Sequence, residues 1–127
     1  MEIGIKGFST ITVTDELTAA KVGSGCLPVF STPSMIALLE KAACECIKDK
    51  LDDGMSSVGT FLDIKHIAAT PVSMTVTAEA TLIEIDGRRL VFDIKVNDEA
   101  GLIGEGKHER FIVNSEKFVQ RTNAKLK

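Results

Sequence analysis

Apolar positions recur along this chain with two different periods. Phe8-Ser9-Thr10-Ile11-Thr12-Val13-Thr14 alternates apolar and polar and is rich in β-branched residues, which predicts a half-buried strand. Asp15 to Ala20 reads as a turn or a single helical turn, and Lys21 to Pro28 reads as a loop. The period then lengthens. Met35, Ile36, Leu38, Leu39, Ala42, Ala43, Cys46 and Ile47 form one broad face at about 3.6 residues per turn, with Lys41, Glu45, Lys48 and Asp49 on the other side. Thr32 before Pro33 predicts an N-cap, with Ser34 as the alternative, because a pre-proline residue favours extended backbone. Leu51-Asp52-Asp53-Gly54 ends the helix.

Alternation returns after the helix. Strands are predicted near 57–69, over Met74 to Leu82, over Arg89 to Val96 and over Leu102 to Val113. Thr70-Pro71 marks a bend, and Asp86-Gly87 is a two-residue hairpin signal. The glycines of the last strand suggest a bulge or a close backbone approach. Asn114 to Lys117 begins a C-terminal helix or extension. No linker or repeat divides the chain, so residues 1–127 are expected to form a single α+β domain. A curved antiparallel sheet wrapped around one long central helix is the hot-dog fold. One helix covers one face of such a sheet, so a homodimer is expected, with the two sheets edge to edge, or a tetramer of paired dimers.

Composition narrows the function classes. The net charge is -3, there is no Trp or Tyr, and there are six Phe. Neither a basic face nor an aromatic platform for nucleic acid is expected. No apolar run approaches the roughly 20 residues that span a bilayer. Met1 to Lys6 lacks a signal-peptide pattern. Cys26, Cys44 and Cys46 are odd in number and form no CxxC pair, so reduced thiols and a cytoplasmic location are expected.

Three residues could carry chemistry. Glu40 lies about 40° around the helix from Ile36, on or at the rim of the apolar face. Burying a carboxylate is costly unless it is paired, protonated or functional. The bland alternative is a rim glutamate reaching solvent or a lysine. His66 ends the first meander strand and could act as a base near neutral pH. His108 is its rival, and either could be merely structural. Thr32 is an ordinary cap residue that could also orient a carboxylate or a carbonyl at the helix mouth, where amide groups suit an oxyanion. Eight residues of straight helix separate Thr32 from Glu40 by about 12 Å. Their meeting at one atom requires Thr32-Pro33 to fold back. No metal set is visible, and Cys44 and Cys46 are expected to be packing residues.

Taken together, Thr32, Leu38-Leu39-Glu40-Lys41-Ala42-Ala43-Cys44, His66-Ile67-Ala68-Ala69-Thr70-Pro71, Glu84 to Leu90 and Gly106-Lys107-His108-Glu109-Arg110 resemble the fluoroacetyl-CoA thioesterase family of hot-dog proteins. The resemblance runs from about Val29 to Lys117. It implies an acyl-CoA thioesterase with a catalytic triad of Thr32, Glu40 and His66, and with Gly59 and Arg110 contacting the substrate. His108 is not the catalytic histidine in that pattern. Coenzyme A enters as part of the substrate, with no separate cofactor. The resemblance departs at Lys21 to Cys26, where the aromatic lid residue is missing, so a general acyl-CoA thioesterase is expected rather than a fluoroacetyl-selective one. The alternatives are a non-catalytic hot-dog protein that binds acyl or CoA ligands, and an acyl-thioester dehydratase.

Overall fold

A computed structural model describes residues 1–126. Five strands form one antiparallel sheet in the order β1-β3-β4-β5-β2. They are β1 (Lys6–Thr12), β2 (Met55–His66), β3 (Thr75–Asp86), β4 (Arg89–Asn97) and β5 (Leu102–Asn114). A short helix α1 (Ala19–Val22) and the long helix α2 (Thr32–Ile47) lie between β1 and β2, and α3 (Ser115–Asn123) follows β5. This is the expected α+β hot-dog arrangement.

The two periods meet in one core. On β3, Val76, Ala78, Ala80 and Leu82 point inward; on β4, Leu90, Phe92, Ile94 and Val96 do the same. Met35, Leu39, Ala42, Ala43 and Ile47 of α2 pack onto them, all essentially without solvent exposure. Each large apolar side chain buried this way contributes roughly 1.5–3 kcal/mol. Small residues set the helix–sheet distance. A Cβ on Gly7 would run into the α2 backbone at Ala42 and Cys46, so glycine lets β1 close on the helix.

Boundaries differ from the sequence-based expectation at several points. β1 begins two residues earlier and ends at Thr12, because its pairing with β3 runs from Lys6 to Thr12. β2 stops at His66, and residues 67–70 leave the strand to meet other partners. The helix ends at Ile47, and Gly54 lies beyond it in the turn before β2. The cap is neither Thr32 nor Ser34. Ser31 has extended backbone, and its Oγ accepts the Ser34 amide at 3.2 Å. Pro33 therefore sits in the first turn, where a missing N–H costs nothing. Thr32 is the first helical residue, so Thr32-Pro33 does not fold back.

Two features of the sheet position the candidate site. β2 is an edge strand, and its pairing with β5 shifts register between Gly59 and Phe61, leaving Thr60 as an extra residue. At the far end of β2, the chain is laced to the helix mouth. The Phe30 amide donates to the Thr70 carbonyl at 2.9 Å, Val29 bridges Pro71, and the Ser31 amide donates to the Leu17 carbonyl at 2.9 Å. These bonds fix the start of α2 beside the end of β2.

Candidate active site

That lacing brings Thr32 and His66 together. The Thr32 hydroxyl and His66 Nδ1 share a hydrogen bond of 2.8 Å. His66 Nε2 is buried and has no partner among the described residues. An unsatisfied buried ring nitrogen is a costly feature that a bound molecule would relieve. Burial holds the His66 pKa below its ordinary value, with the Ala68 main chain opposing. The ring is therefore neutral at pH 7 and able to take a proton. Thr32 and His66 line a cleft of about 340 Å³ together with Ser24, Phe30 and Ala68.

The helix mouth offers fewer amides than its geometry suggests. Pro33 has none, Ser34 is capped by Ser31, and the Met35 amide donates to the Ser31 carbonyl at 3.0 Å. The Thr32 amide is the one first-turn donor left without a partner among the described residues.

Glu40 belongs to a second group, two turns along α2. Its Oε2 accepts from Arg110 Nη1 at 3.3 Å and lies 3.9 Å from His108 Nε2. Its side chain is 37% exposed, which places the carboxylate at the rim of the core. Gly59 stands against it. A Cβ there would occupy the space of the Glu40 carboxylate and press on His108 and Arg110. Glycine at this position is a requirement of the site, not of a turn.

Arg110 is nearly buried and is held from three directions. Its Nε donates to Ser57 Oγ at 2.8 Å and its Nη2 to the Ser57 carbonyl at 3.0 Å. Its Nη1 serves both Glu40 and His108 Nε2, the latter at 3.1 Å. Fork geometry of this kind is specific to arginine. His108 is completely buried and bonds through Nδ1 to the Phe61 carbonyl at 2.9 Å.

Within one chain, then, Thr32 and His66 form one cluster, and Glu40, Gly59 and Arg110 form another. No hydrogen bond joins the two clusters among the described residues. Sequence reasoning did not single out Ser57 or Ser31. Nothing in local pattern marks Ser57; its role follows from the β2–β5 register, which places Gly59 opposite Arg110. Among the described residues there is no group of three His, Cys, Asp or Glu side chains that could hold a metal. Nor is any helix long and apolar enough to cross a membrane.

Comparison with known proteins agrees with this fold. The sequence profile of the fluoroacetyl-CoA-specific thioesterase family matches residues 13–116. The fluoroacetyl-CoA thioesterase of Streptantibioticus cattleyicolor is 39% identical over 99 residues, which is 78% of this chain and 68% of that protein. The structure of the fluoroacetyl-CoA thioesterase FlK superposes with a TM-score of 0.93 at 31% identity, covering 98% of this chain and 97% of FlK. A thioesterase-superfamily member from Thermus thermophilus superposes with a TM-score of 0.89 at 27% identity, covering 98% and 92%. The profile match and the 39% identity together place this chain in the fluoroacetyl-CoA-specific thioesterase family.

Proposed function

We propose that the protein hydrolyses a small acyl-CoA thioester to the free acid and CoA, with Thr32, Glu40 and His66 as its catalytic residues. The observation that carries this is the pairing of Thr32 with His66 in the wall of an open cleft, with His66 Nε2 buried and without a partner among the described residues. A variant of FlK has been crystallised with fluoroacetate and CoA, which supports an acyl-CoA ligand for this chain. The thioester carbonyl is held near the Thr32 amide and hydroxyl. Glu40 supplies the carboxylate that attacks the carbonyl or orients water towards it. His66 moves the proton, first from water and then to the leaving thiolate. Arg110 and Gly59 border the acyl group beside Glu40.

The working unit is a homodimer. Thr32 and Glu40 lie about 12 Å apart along one straight helix, too far to act on one atom. β2 has an unpaired edge, and Phe61, Leu62 and Ile67 on or beside it are exposed. A long apolar edge strand is a natural seat for a second copy. Antiparallel pairing of two β2 edges centred near Phe61 sets the His66 end of one strand beside the Ser57 end of the other. There, one chain's Thr32 and His66 face the other chain's Glu40, Gly59 and Arg110.

The stretch Lys21 to Cys26, which runs from the end of α1 and contributes Ser24 to the cleft, carries no aromatic residue. Acetyl-CoA and other short acyl-CoAs are therefore expected as substrates alongside fluoroacetyl-CoA. The test is a hydrolysis screen over short, branched and aromatic acyl-CoAs, run beside Glu40→Ala. Turnover that Glu40→Ala abolishes supports the proposal. Thermal stabilisation by acyl-CoA without turnover, or hydration of an enoyl-CoA, would replace it with a binding protein or a dehydratase.

A further inference from the structure

Among the described residues, His108 is the one fully buried ionisable side chain that the proposed reaction leaves unused. Its two ring nitrogens face partners of opposite character. Nδ1 meets the Phe61 carbonyl, which can only accept; Nε2 meets the Arg110 guanidinium, which can only donate. One tautomer satisfies both: Nδ1 carries the proton and Nε2 is a bare acceptor. The Phe61 carbonyl is available at this position because the β2 bulge falls between Gly59 and Phe61. Phe92 stacks against the ring with centroids 6.3 Å apart and holds its plane.

This matters for Glu40. Arg110 Nη1 has two protons. With one directed to His108 Nε2 and the other to Glu40 Oε2, the guanidinium has a single orientation. Ser57 fixes the opposite side through Nε and Nη2. Without an acceptor at the Nε2 position, one Nη1 proton would be buried and unpaired, and the guanidinium would have reason to turn. The charged groups facing His108 are Arg110 and Glu109 from β5 and Glu40 from α2.

We propose that His108 is a positioning residue, a tautomer-locked acceptor that aims Arg110 at Glu40 and so fixes the direction of the carboxylate beside Gly59. It makes no hydrogen bond to Glu40, whose Oε2 lies 3.9 Å from its Nε2; it acts through Arg110. The catalytic consequence rests on the thioesterase reading above, whereas the hydrogen-bond arrangement does not.

Two substitutions separate positioning from packing. His108→Gln can place an amide oxygen near the Nε2 position and keep an acceptor for Arg110. His108→Asn can keep the donor to Phe61 but ends short of Arg110. His108→Asn is expected to lower kcat by roughly 10- to 100-fold, the range for a buried donor deprived of its acceptor. His108→Gln is expected to recover most of that loss even if its melting temperature equals that of His108→Asn. Combined with Arg110→Gln, His108→Asn should add no further loss, because both changes remove one unit. Additive losses, or kcat values that follow melting temperature through the series, would overturn the proposal.

The second readout needs no substrate. In protein labelled with 15N at histidine and arginine, His108 should show protonated Nδ1 and unprotonated Nε2 from about pH 8 down to about 6.5, the ordinary histidine pKa. Arg110 guanidinium resonances should be sharp in the native protein and in His108→Gln, and exchange-broadened in His108→Asn. The opposite tautomer, or an Arg110 signal indifferent to His108→Asn, would overturn the proposal whatever the enzyme hydrolyses. Loss of the thioesterase reading alone would leave this second result intact.

Discussion

The Thr32 hydroxyl holds His66 by Nδ1 at 2.8 Å, and this decides which face of the imidazole is free to work. Nε2 is buried and unpartnered among the described residues, and His66 lines the cleft together with Ser31, Ile67 and Ala68. His66→Ala is expected to lower kcat by roughly 10²- to 10⁴-fold, the usual contribution of a general base. Thr32→Ala removes one orienting bond and is expected to cost about 10-fold, the size of one net hydrogen bond. Thr32→Ser should restore most of it. Steady-state kinetics on an acyl-CoA substrate with verified folding checks both; a Thr32→Ser variant as poor as Thr32→Ala would remove the orienting role.

The two histidines also give stability a pH dependence of definite sign. Burial is the leading cause that lowers both His66 and His108 below the ordinary value of 6.5. The Arg110 charge adds to the lowering at His108, while the Phe61 carbonyl and the Glu40 and Glu109 charges oppose it. As pH falls through about 6.5, the unfolded chain takes up protons that the native state still refuses. Stability must therefore fall with pH in that window, and level off below the native pKa values as far as these groups are concerned. Melting temperature should decline from about pH 7.5 to 5.5, a span bracketing the ordinary histidine pKa. His108→Gln should show a shallower decline than the native protein; an unchanged slope would show that His108 does not contribute. kcat/KM should hold down through pH 6.5 and fall only as pH approaches the lowered native pKa of His66, because protonated His66 cannot accept a proton.

Gly59 makes a prediction of a different kind. The space a Cβ would need is held by the end of the Glu40 side chain, which is partly exposed and can move. Gly59→Ala should therefore cost modest stability: the Glu40 end can swing away, while the buried His108 and Arg110 need to yield only slightly. Its cost falls on the aim of the carboxylate. We expect kcat to drop by at least about 10-fold with a melting-temperature change of only a few degrees, comparable to about 1 kcal/mol or less. Gly59→Ala combined with Glu40→Ala should be no worse than Glu40→Ala alone. A Gly59→Ala enzyme of full activity would show that Glu40 need not occupy that position during turnover.

Why these residues matter was only partly legible in the sequence. The change of period at Met35 exposed the helix, and the alternation after Ser57 exposed the meander, because both patterns follow from one buried face. Glu40 was visible as a charge at the margin of an apolar run. Gly59 and Arg110 come from the sequence only through the family resemblance, and Ser57 not at all, because Ser57, Gly59, His108 and Arg110 meet around Glu40 only through the β2–β5 register and its bulge, which no local signal sets. Ser31 was missed as the cap because Thr32-Pro33 carries the stronger dipeptide pattern, yet the bond from Ser31 to Leu17 fixes the extended residue one position earlier. That shift of one residue puts Thr32 into the helix proper. It turns the spacing between Thr32 and Glu40 from a puzzle of local folding into a statement about subunits.

The last prediction tests that statement directly. If each site takes Thr32 and His66 from one chain and Glu40 from the other, two inactive variants can repair each other. A chain with His66→Ala still offers Glu40, and a chain with Glu40→Ala still offers Thr32 and His66. When the two are unfolded together and refolded in equal amounts, half of the dimers are mixed. Each mixed dimer has one intact site and one doubly defective site. Activity should return to about a quarter of the native level, as isologous pairing of equal partners requires. The two variants refolded separately should stay inactive. Phe61→Glu or Leu62→Glu on the β2 edge should abolish the repair and shift the protein to monomer in sedimentation, since a charge there opposes edge pairing. A mixture that stays inactive although mass spectrometry shows mixed dimers would place all three catalytic residues on one chain. In that case α2 must bend or Glu40 must leave Arg110 during turnover.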